Sequence, residues 1–209
     1  MKTFFIHLMD NPERKRNIDE QIKQHGLTDY KITPAVLGNM FNPENPVLGS
    51  LTSHNRILTD IIFNEIDGPV LILEDDAMLL NNFLVNLGNK LVNLPADWDI
   101  AFIGYNLQGH NLFNTTIPGW FTRQSAYSNI TFSGGWAYLV NGHWAARKIL
   151  PLMNDVNTPF YPYHDLMLRS YIDSGKLTAY WLCHRLVNHG TLPSVMRSSE
   201  RFESDFLNG

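Results

Sequence analysis

Three carboxylates stand side by side at Glu74, Asp75 and Asp76, directly after the apolar run Pro69–Leu73. A continuous apolar run is typical of a central strand covered on both faces, and open α/β sheets bind ligands beyond the carboxyl ends of their strands. Adjacent acids repel one another unless a cation lies nearby, and strand alternation places Glu74 and Asp76 on the same side. The triplet therefore favours a hard divalent ion, Mn²⁺ or Mg²⁺, that bridges to a diphosphate. A solvated acidic turn is the simpler alternative.

Three classes of metal-dependent enzyme place acids in this way. A phosphatase of the haloacid dehalogenase type needs Asp-x-Asp after its first strand, whereas this triplet follows a later strand and begins with Glu74. A nucleotidylyltransferase needs a glycine-rich loop after its first strand, and residues 10–17 here contain no glycine. A sugar-nucleotide transferase is the class that remains.

Apolar runs as long as a strand alternate with segments whose apolar residues recur at the helical period. This alternation predicts an α/β domain. Six strands are predicted, at Thr3–Leu8, Tyr30–Thr33, Pro69–Leu73, Asp99–Ile103, Ala137–Val140 and Thr178–Leu182. Five helices are predicted, at Asn11–Gly26, Ser50–Ile66, Phe83–Leu94, Asn141–Leu150 and His164–Ser174. The stretch Gly104–Asn129 has no clear period and is expected to be a functional loop. We find no linker, so residues 1–209 are expected to form a single domain, which could belong to a longer protein.

The charge, the cysteine count and the apolar runs of the chain argue against several classes of partner and site. The 209 residues carry a formal net charge of −4, which disfavours nucleic acid as a partner. The one cysteine, Cys183, excludes an internal disulfide framework and a cysteine-based zinc site. No apolar run approaches the ~18 residues of a transmembrane span, and the first residues lack the pattern of a signal peptide. We therefore expect a cytoplasmic protein, in the host cytoplasm if the source is a virus.

Six segments occur in an order that resembles glycosyltransferase family 25, which holds lipooligosaccharide and procollagen galactosyltransferases. The segments are Ile6–Arg16, Gly49–His54, Leu73–Asp76, Trp98–Gly104, Gly134–Val140 and His164–Arg169. Their order and spacing cover nearly the whole chain, from residue 6 to residue 169. The resemblance implies a GT-A fold with a Rossmann-like mixed sheet and flanking helices, a nucleotide-sugar donor, a Mn²⁺-type cofactor and inversion at the anomeric carbon. The chain departs from the family at His7 for Asn, Ser50 for Cys and Trp136 for His.

The acid triplet is then a DXD-like motif. Asp76 is expected to bind the metal directly, Glu74 to bind the metal or the donor ribose, and Asp75 to act as an auxiliary acid. A further ligand must come from elsewhere, because two carboxylates leave much of an octahedron open. His189, in an Asn-His-Gly segment after the last strand, is the candidate, since a C-terminal His-Gly recurs in the related collagen glucosyltransferase domains. An exposed loop histidine is the alternative.

An inverting transfer needs one base to take the proton of the acceptor hydroxyl. Asp165, at the start of a predicted helix, is the first candidate and His164 the second. Asp165 could equally be a helix N-cap. His54 resembles the family's Ser-His pair and is expected near the donor phosphates, with a half-buried helix histidine as the alternative.

Other residues are expected to bind the nucleotide-sugar donor. The turn from Leu8 to Arg14 should meet the base and ribose. Arg14 or Arg16 should meet phosphate, with solvated surface arginines as the alternative. Ala35 and Val36 resemble the family's Ala-Val pair and should flank the uracil. Gly134 and Gly135 would permit close approach to the donor sugar. Six aromatic residues are candidates for an acceptor platform or a closing lid, with core packing as the alternative: Tyr105, Phe113, Trp120, Phe121, Tyr127 and Trp136.

The sequence thus predicts a metal-dependent inverting glycosyltransferase that moves a hexose from a UDP-sugar to a hydroxyl of a glycan or protein. Its acceptor could be a cell-surface polysaccharide, a lipopolysaccharide core or a virion glycoprotein. A sugar-nucleotide binding module without catalysis, or a metal-dependent phosphohydrolase, are the alternatives.

Overall fold

A seven-stranded mixed sheet forms the centre of the protein. The computed structural model describes residues 1–38, 47–108, 117–122 and 131–190. The strand order is β2(Tyr30–Pro34), β1(Thr3–His7), β3(Pro69–Glu74), β7(Thr131–Asn141), β5(Ile100–Gln108), β8(Ala179–Leu182), β6(Trp120–Phe121). β7 and β6 run antiparallel to their neighbours and the other pairs are parallel. Two short strands, β4(Ala77–Leu79) and β9(Val187–His189), form a separate antiparallel pair.

Helices cover both faces of the sheet, because the side chains of the central strands alternate between two apolar cores. Phe4 and Ile72 face the core under the helices α2(Val47–Phe63), α4(Gly142–Met153) and α5(His164–Asp173). Phe5 and Leu71 face the core under α1(Pro12–His25) and α3(Phe83–Leu91). The predicted mixed α/β architecture is confirmed.

Helix α1 begins and ends where the sequence predicts. Asn11 precedes it and its side-chain oxygen accepts a hydrogen bond from the Arg14 backbone N–H at 3.1 Å, while Pro12 occupies the first turn. Gly26 ends the helix in the left-handed conformation, with φ at +63°. These start and stop signals fix the ends of helix α1. They thereby place Arg14 in the first turn of the helix, shortly after strand β1.

Several predicted boundaries are wrong. The predicted loop Gly104–Asn129 begins inside strand β5, which continues through Gln108, and it also contains strand β6. Residues 109–116 and 123–130 lie outside the described part of the chain. Helix α2 begins at Val47 instead of Ser50. The pair β4 and β9 escaped prediction because three-residue strands carry too little hydrophobic alternation to stand out.

No helix in the described ranges is long and apolar enough to cross a membrane.

Candidate active site

The acid triplet lies at the carboxyl end of β3, beside the carboxyl end of β1. The two strands are parallel and pair Ile6 with Glu74, so the residues that follow them meet at the same sheet edge. Asp75 is 4% exposed and its carboxylate is held on several sides. One oxygen accepts a hydrogen bond from the Leu8 backbone N–H at 2.8 Å and lies 3.1 Å from His7 Nδ1, while the other accepts from the Arg14 guanidinium. Asp75 therefore fixes the first βα turn to the acid triplet.

Asn17 secures the backbone of the same turn. Its side-chain amide donates to the carbonyl oxygens of Asp75 at 2.9 Å and Ala77 at 3.2 Å. Asn17 is buried on helix α1. Asn17 was not singled out from the sequence, because its burial becomes visible only when helix α1 packs beside the acid triplet.

Asp76 keeps one carboxylate oxygen open. Its Oδ2 lies 3.2 Å from Arg14 Nη2 and 3.5 Å from His189 Nε2. Its Oδ1 is buried and has no hydrogen-bond partner among the residues that the structure describes. Burial, together with the charge of Glu74, raises the pKa of Asp76 to about 6. An orphaned carboxylate oxygen at this depth is costly unless a cation or donor occupies the site.

Pairing between β4 and β9 brings His189 to the acid triplet. The register places His189 opposite Ala77, and the Gly190 backbone N–H donates to the Asp76 carbonyl at 2.7 Å. His189 Nδ1 lies 2.8 Å from the Gly190 carbonyl oxygen, which can only accept, so Nδ1 carries the proton. Nε2, which lies 3.5 Å from Asp76 Oδ2, is therefore the ring nitrogen that could bind a cation. A groove of about 570 Å³ opens beside it, between residues of helix α1 and strand β9.

Glu74 lies against two buried histidines. His54 Nε2 is 3.6 Å from Glu74 Oε1, and the His54 ring stacks on the His164 ring with 3.9 Å between centroids. His54 Nδ1 lies 2.8 Å from the Tyr138 hydroxyl, and His164 Nδ1 lies 3.3 Å from Ser50 Oγ.

Burial sets the charge of this group. It lowers the pKa of both His54 and His164 to about 4, so both are neutral at pH 7, and it raises the pKa of Glu74. Two neutral imidazoles stack here without charge repulsion between the rings. Tyr138, whose hydroxyl orients His54, was not singled out from the sequence.

Asp165 connects helix α5 to strand β7. Its Oδ2 accepts a hydrogen bond from the Gly134 backbone N–H at 2.8 Å, and its Oδ1 accepts from the Leu166 N–H at 2.9 Å. Gly134 has a φ of +77°, and a Cβ atom there would lie 2.5 Å from the Trp136 ring. A Cβ on Gly135 would lie 3.0 Å from His164 Nε2. Both glycines therefore allow close packing at the point where Asp165 and His164 meet the sheet.

The structure gathers most of the predicted site residues at one sheet edge. Ala35 and Val36 follow β2, where the Ala35 N–H donates to the His7 carbonyl at 2.7 Å and the Val36 N–H donates to Ser53 Oγ at 2.8 Å. The Arg14 guanidinium, predicted to meet phosphate, binds Asp75 and Asp76 instead in this structure. The individual roles of these residues stay predictions.

Core packing accounts for four of the six aromatic residues that were candidates for an acceptor platform. Their side chains are at most 3% exposed: Tyr105, Trp120, Phe121 and Trp136. The Tyr105 hydroxyl donates to the Leu182 carbonyl at 2.6 Å and Trp120 Nε1 donates to the Lys90 carbonyl at 2.9 Å. A platform built from these four is therefore wrong. Phe113 and Tyr127 lie outside the described residues.

Comparison with known proteins supports the predicted class. No family model matches the chain. R655 of Acanthamoeba polyphaga mimivirus, which carries the name of a glycosyltransferase, is 22% identical over 131 residues. That match spans 55% of this chain and 40% of R655, so the chain covers less than half of this relative.

Among solved structures, a glycosyltransferase involved in glycosylation of the major capsid of PBCV-1 has a TM-score of 0.54. It is 10% identical and the match covers 92% of this chain and 93% of that one. The apo form of GlyE from Streptococcus pneumoniae TIGR4 has a TM-score of 0.47 at 11% identity, over 85% of this chain and 44% of GlyE.

The match to the PBCV-1 structure confirms the predicted GT-A fold. The name that R655 carries is that of the enzyme class predicted from the sequence, and the PBCV-1 structure shares the fold.

Proposed function

We propose that this protein is a metal-dependent inverting glycosyltransferase, similar to family 25, that moves a hexose from a UDP-sugar to a hydroxyl of a glycan or protein. The observation that carries the proposal is the buried, unpartnered Oδ1 of Asp76 at the carboxyl end of β3, within the described residues. The GT-A fold puts this edge of the sheet where α/β proteins bind nucleotides. A single domain over residues 1–209, a cytoplasmic location and a role in making lipopolysaccharide or another glycan belong to the same proposal.

The residues at this edge fit a divalent cation. Asp76 supplies a free carboxylate oxygen, His189 supplies an Nε2 lone pair 3.5 Å from the other oxygen, and Glu74 supplies a second carboxylate. The Nδ1–H of His189 donates to a backbone carbonyl, which is the outer contact typical of metal-binding histidines. Oxygen and imidazole ligands suit Mn²⁺, and Mg²⁺ is the alternative. When bound, the ion would neutralise charge that develops on the departing diphosphate.

Asp165 is the proposed base, with His164 as the second candidate. The Gly134 and Leu166 N–H groups hold one hydrogen bond on each oxygen of Asp165 and fix its orientation. Each oxygen retains a second lone pair, so Asp165 can still accept the proton of an acceptor hydroxyl. The hydroxyl oxygen then bonds to the anomeric carbon while the bond from that carbon to the diphosphate oxygen breaks. UDP leaves, and the proton remains on Asp165.

The donor would lie along the edge formed by β1, β2 and β3. Leu8, Ala35 and Val36 follow β1 and β2 and would contact the uridine. Gly134 and Gly135 lie beside Asp165 and His164 and would face the hexose. Glu74 would contact the metal or the ribose, Asp75 and Arg14 would hold the turn in place, and His54 would lie near the phosphates.

Replacing Asp76 by Asn tests the proposal. The variant keeps the size of the side chain and removes the charge, so transfer and donor hydrolysis with Mn²⁺ should fall by at least about 100-fold, since a metal contributes several kcal/mol of charge stabilisation. UDP release from a panel of UDP-sugars would be measured with Mn²⁺ and with EDTA. Asp67→Asn is the control, because the Asp67 side chain is 85% exposed and lies at the other end of β3.

Full activity of Asp76→Asn, or full activity of the parent protein in EDTA, would contradict the metal role. Calorimetric binding of a UDP-sugar without product from any acceptor would favour the binding-module alternative. Phosphate release from simple phosphomonoesters would favour a phosphohydrolase.

A further inference from the structure

We infer that His54, Glu74 and His164 form a second metal site, suited to a first-row transition ion such as Zn²⁺ and separate from Asp76 and His189. One potential ligand atom from each of the three side chains lies within 4.8 Å of the other two. Two imidazoles and one carboxylate are a common donor set for such ions. The inference concerns ion binding alone and does not depend on sugar transfer.

Each histidine has the outer contact that a metal-binding imidazole needs. His54 Nδ1 meets the Tyr138 hydroxyl at 2.8 Å, and His164 Nδ1 meets Ser50 Oγ at 3.3 Å. With these ring nitrogens engaged, each Nε2 remains as the coordinating atom. Contacts of this kind set the tautomer and direction of metal-bound histidines.

The inner side of the cluster is unsatisfied. His164 is 7% exposed, and its Nε2 lacks a hydrogen-bond partner within the described ranges. His54 Nε2 lies 3.6 Å from Glu74 Oε1, beyond hydrogen-bond distance. A buried nitrogen without a partner costs free energy, which a bound cation would recover.

Ion binding would change how the two rings are arranged. The rings stack with 19° between their planes, so ion binding requires one ring to turn.

Glu74 belongs to both proposed sites, and this connects them. An ion bound by the two histidines would draw the Glu74 carboxylate away from the Asp76 side. It would also occupy the lone pair of His164, which leaves Asp165 as the base for transfer. A transition ion at this position would therefore compete with the ion that supports the donor.

The experiment uses the full chain with Asp76→Asn and His189→Gln combined, so that neither Asp76 nor His189 can bind the ion and Glu74 is the one donor-side ligand that remains. Metal-free protein is titrated with Zn²⁺ by calorimetry and with Co²⁺ by visible absorption. We expect one ion to bind, and Glu74→Gln or His54→Gln added to this background to weaken binding by at least about 100-fold. Ser50→Ala should weaken it by roughly 10-fold, as loss of an outer contact does. His143→Gln is the control, because His143 pairs with Asp67 at the far end of the sheet, and it should leave binding unchanged.

Absence of saturable Zn²⁺ or Co²⁺ binding in the double variant would overturn the inference, as would binding that survives both Glu74→Gln and His54→Gln. Circular dichroism and melting in EDTA would identify a variant that fails to fold, and Glu74→Gln is the variant expected to fold because the Glu74 side chain is 25% exposed. A protein that binds Zn²⁺ in this way but transfers no sugar would refute the proposed function and leave the inference standing.

Discussion

Arg14 is the residue whose removal should disturb the acid triplet most. Arg14 is 7% exposed, and its guanidinium binds both Asp75 and Asp76, whose side chains are also buried. Replacing Arg14 by Met keeps much of the side-chain volume and removes the one positive charge that contacts both acids among the described residues. Two buried carboxylates then lose their counter-charge while Asp75 keeps its contacts with Leu8 and His7.

Breaking a buried ion pair by removing one partner costs about 3–5 kcal/mol. For a protein of this size, each kcal/mol lowers the melting temperature by about 2–4 °C, so Arg14→Met should melt roughly 6–20 °C lower in EDTA. A divalent cation that binds Asp76 would replace part of the lost charge. Mn²⁺ should therefore raise the melting temperature of Arg14→Met more than that of the parent protein.

Differential scanning fluorimetry with EDTA and with Mn²⁺ would measure both effects. Arg16→Met is the matched control, because Arg16 is exposed on the same helix, and it should melt within about 2 °C of the parent. Arg14→Lys should restore part of the loss, since lysine keeps the charge but cannot bind two carboxylates through one planar group. If Arg14→Met melts like Arg16→Met in EDTA, the argument that Arg14 stabilises the triplet is refuted.

Two further predictions concern the same region. Gly134→Ala should lower the free energy of unfolding in urea more than Gly175→Ala does. Both glycines have positive φ, but of the two only Gly134 would place the new Cβ against a neighbour, the Trp136 ring at 2.5 Å. Equal losses of unfolding free energy would show that the Trp136 ring moves aside at little cost. In EDTA, the parent protein should lose stability relative to Asp76→Asn as the pH rises from about 4 to about 6, because the pKa of Asp76 is raised to about 6 and the folded state holds its proton over that range. His54 and His164 act in the opposite direction, since their lowered pKa values remove stability as the pH falls toward 4, but both proteins share them and the comparison cancels their effect. A flat difference between the two unfolding curves would count against the buried state of Asp76.

The central strands could be predicted because a short, continuously apolar run is typical of a strand that is covered on both faces. Pro69–Leu73 is apolar at every position and lies in the middle of the sheet, where both faces are covered. Gly26 and Pro12 mark helix α1 by backbone geometry that few other residues supply. The aromatic residues after Gly104 could not be assigned in the same way, because an aromatic side chain suits a sugar platform and a core equally well. They become buried only when β5, β6, β7 and β8 pair in the sheet.

The residue types indicated which side chains lie at the site, but their spacing in the sequence did not predict which of them contact one another. Arg14 was expected near phosphate because arginine binds phosphate and carboxylate alike. Its partners, Asp75 and Asp76, follow from where α1 packs relative to the end of β3, and no local pattern encodes that placement. The contact between Tyr138 and His54 joins residues 84 positions apart and arises only when β3 and β7 pair.

The three acids of the triplet differ in what surrounds them, and this difference explains how three adjacent carboxylates can coexist. Asp75 is neutralised within the protein by Arg14 and by the backbone of Leu8, so it needs no external cation. Asp76 shares the same arginine through one oxygen and keeps the other without a partner in the described chain. Glu74 points toward two neutral histidines, which offer it lone pairs or weak donors instead of positive charge. Two of the three acids therefore lack full compensation, and because one arginine cannot serve them all, the folded chain itself creates the demand for a cation at this edge of the sheet.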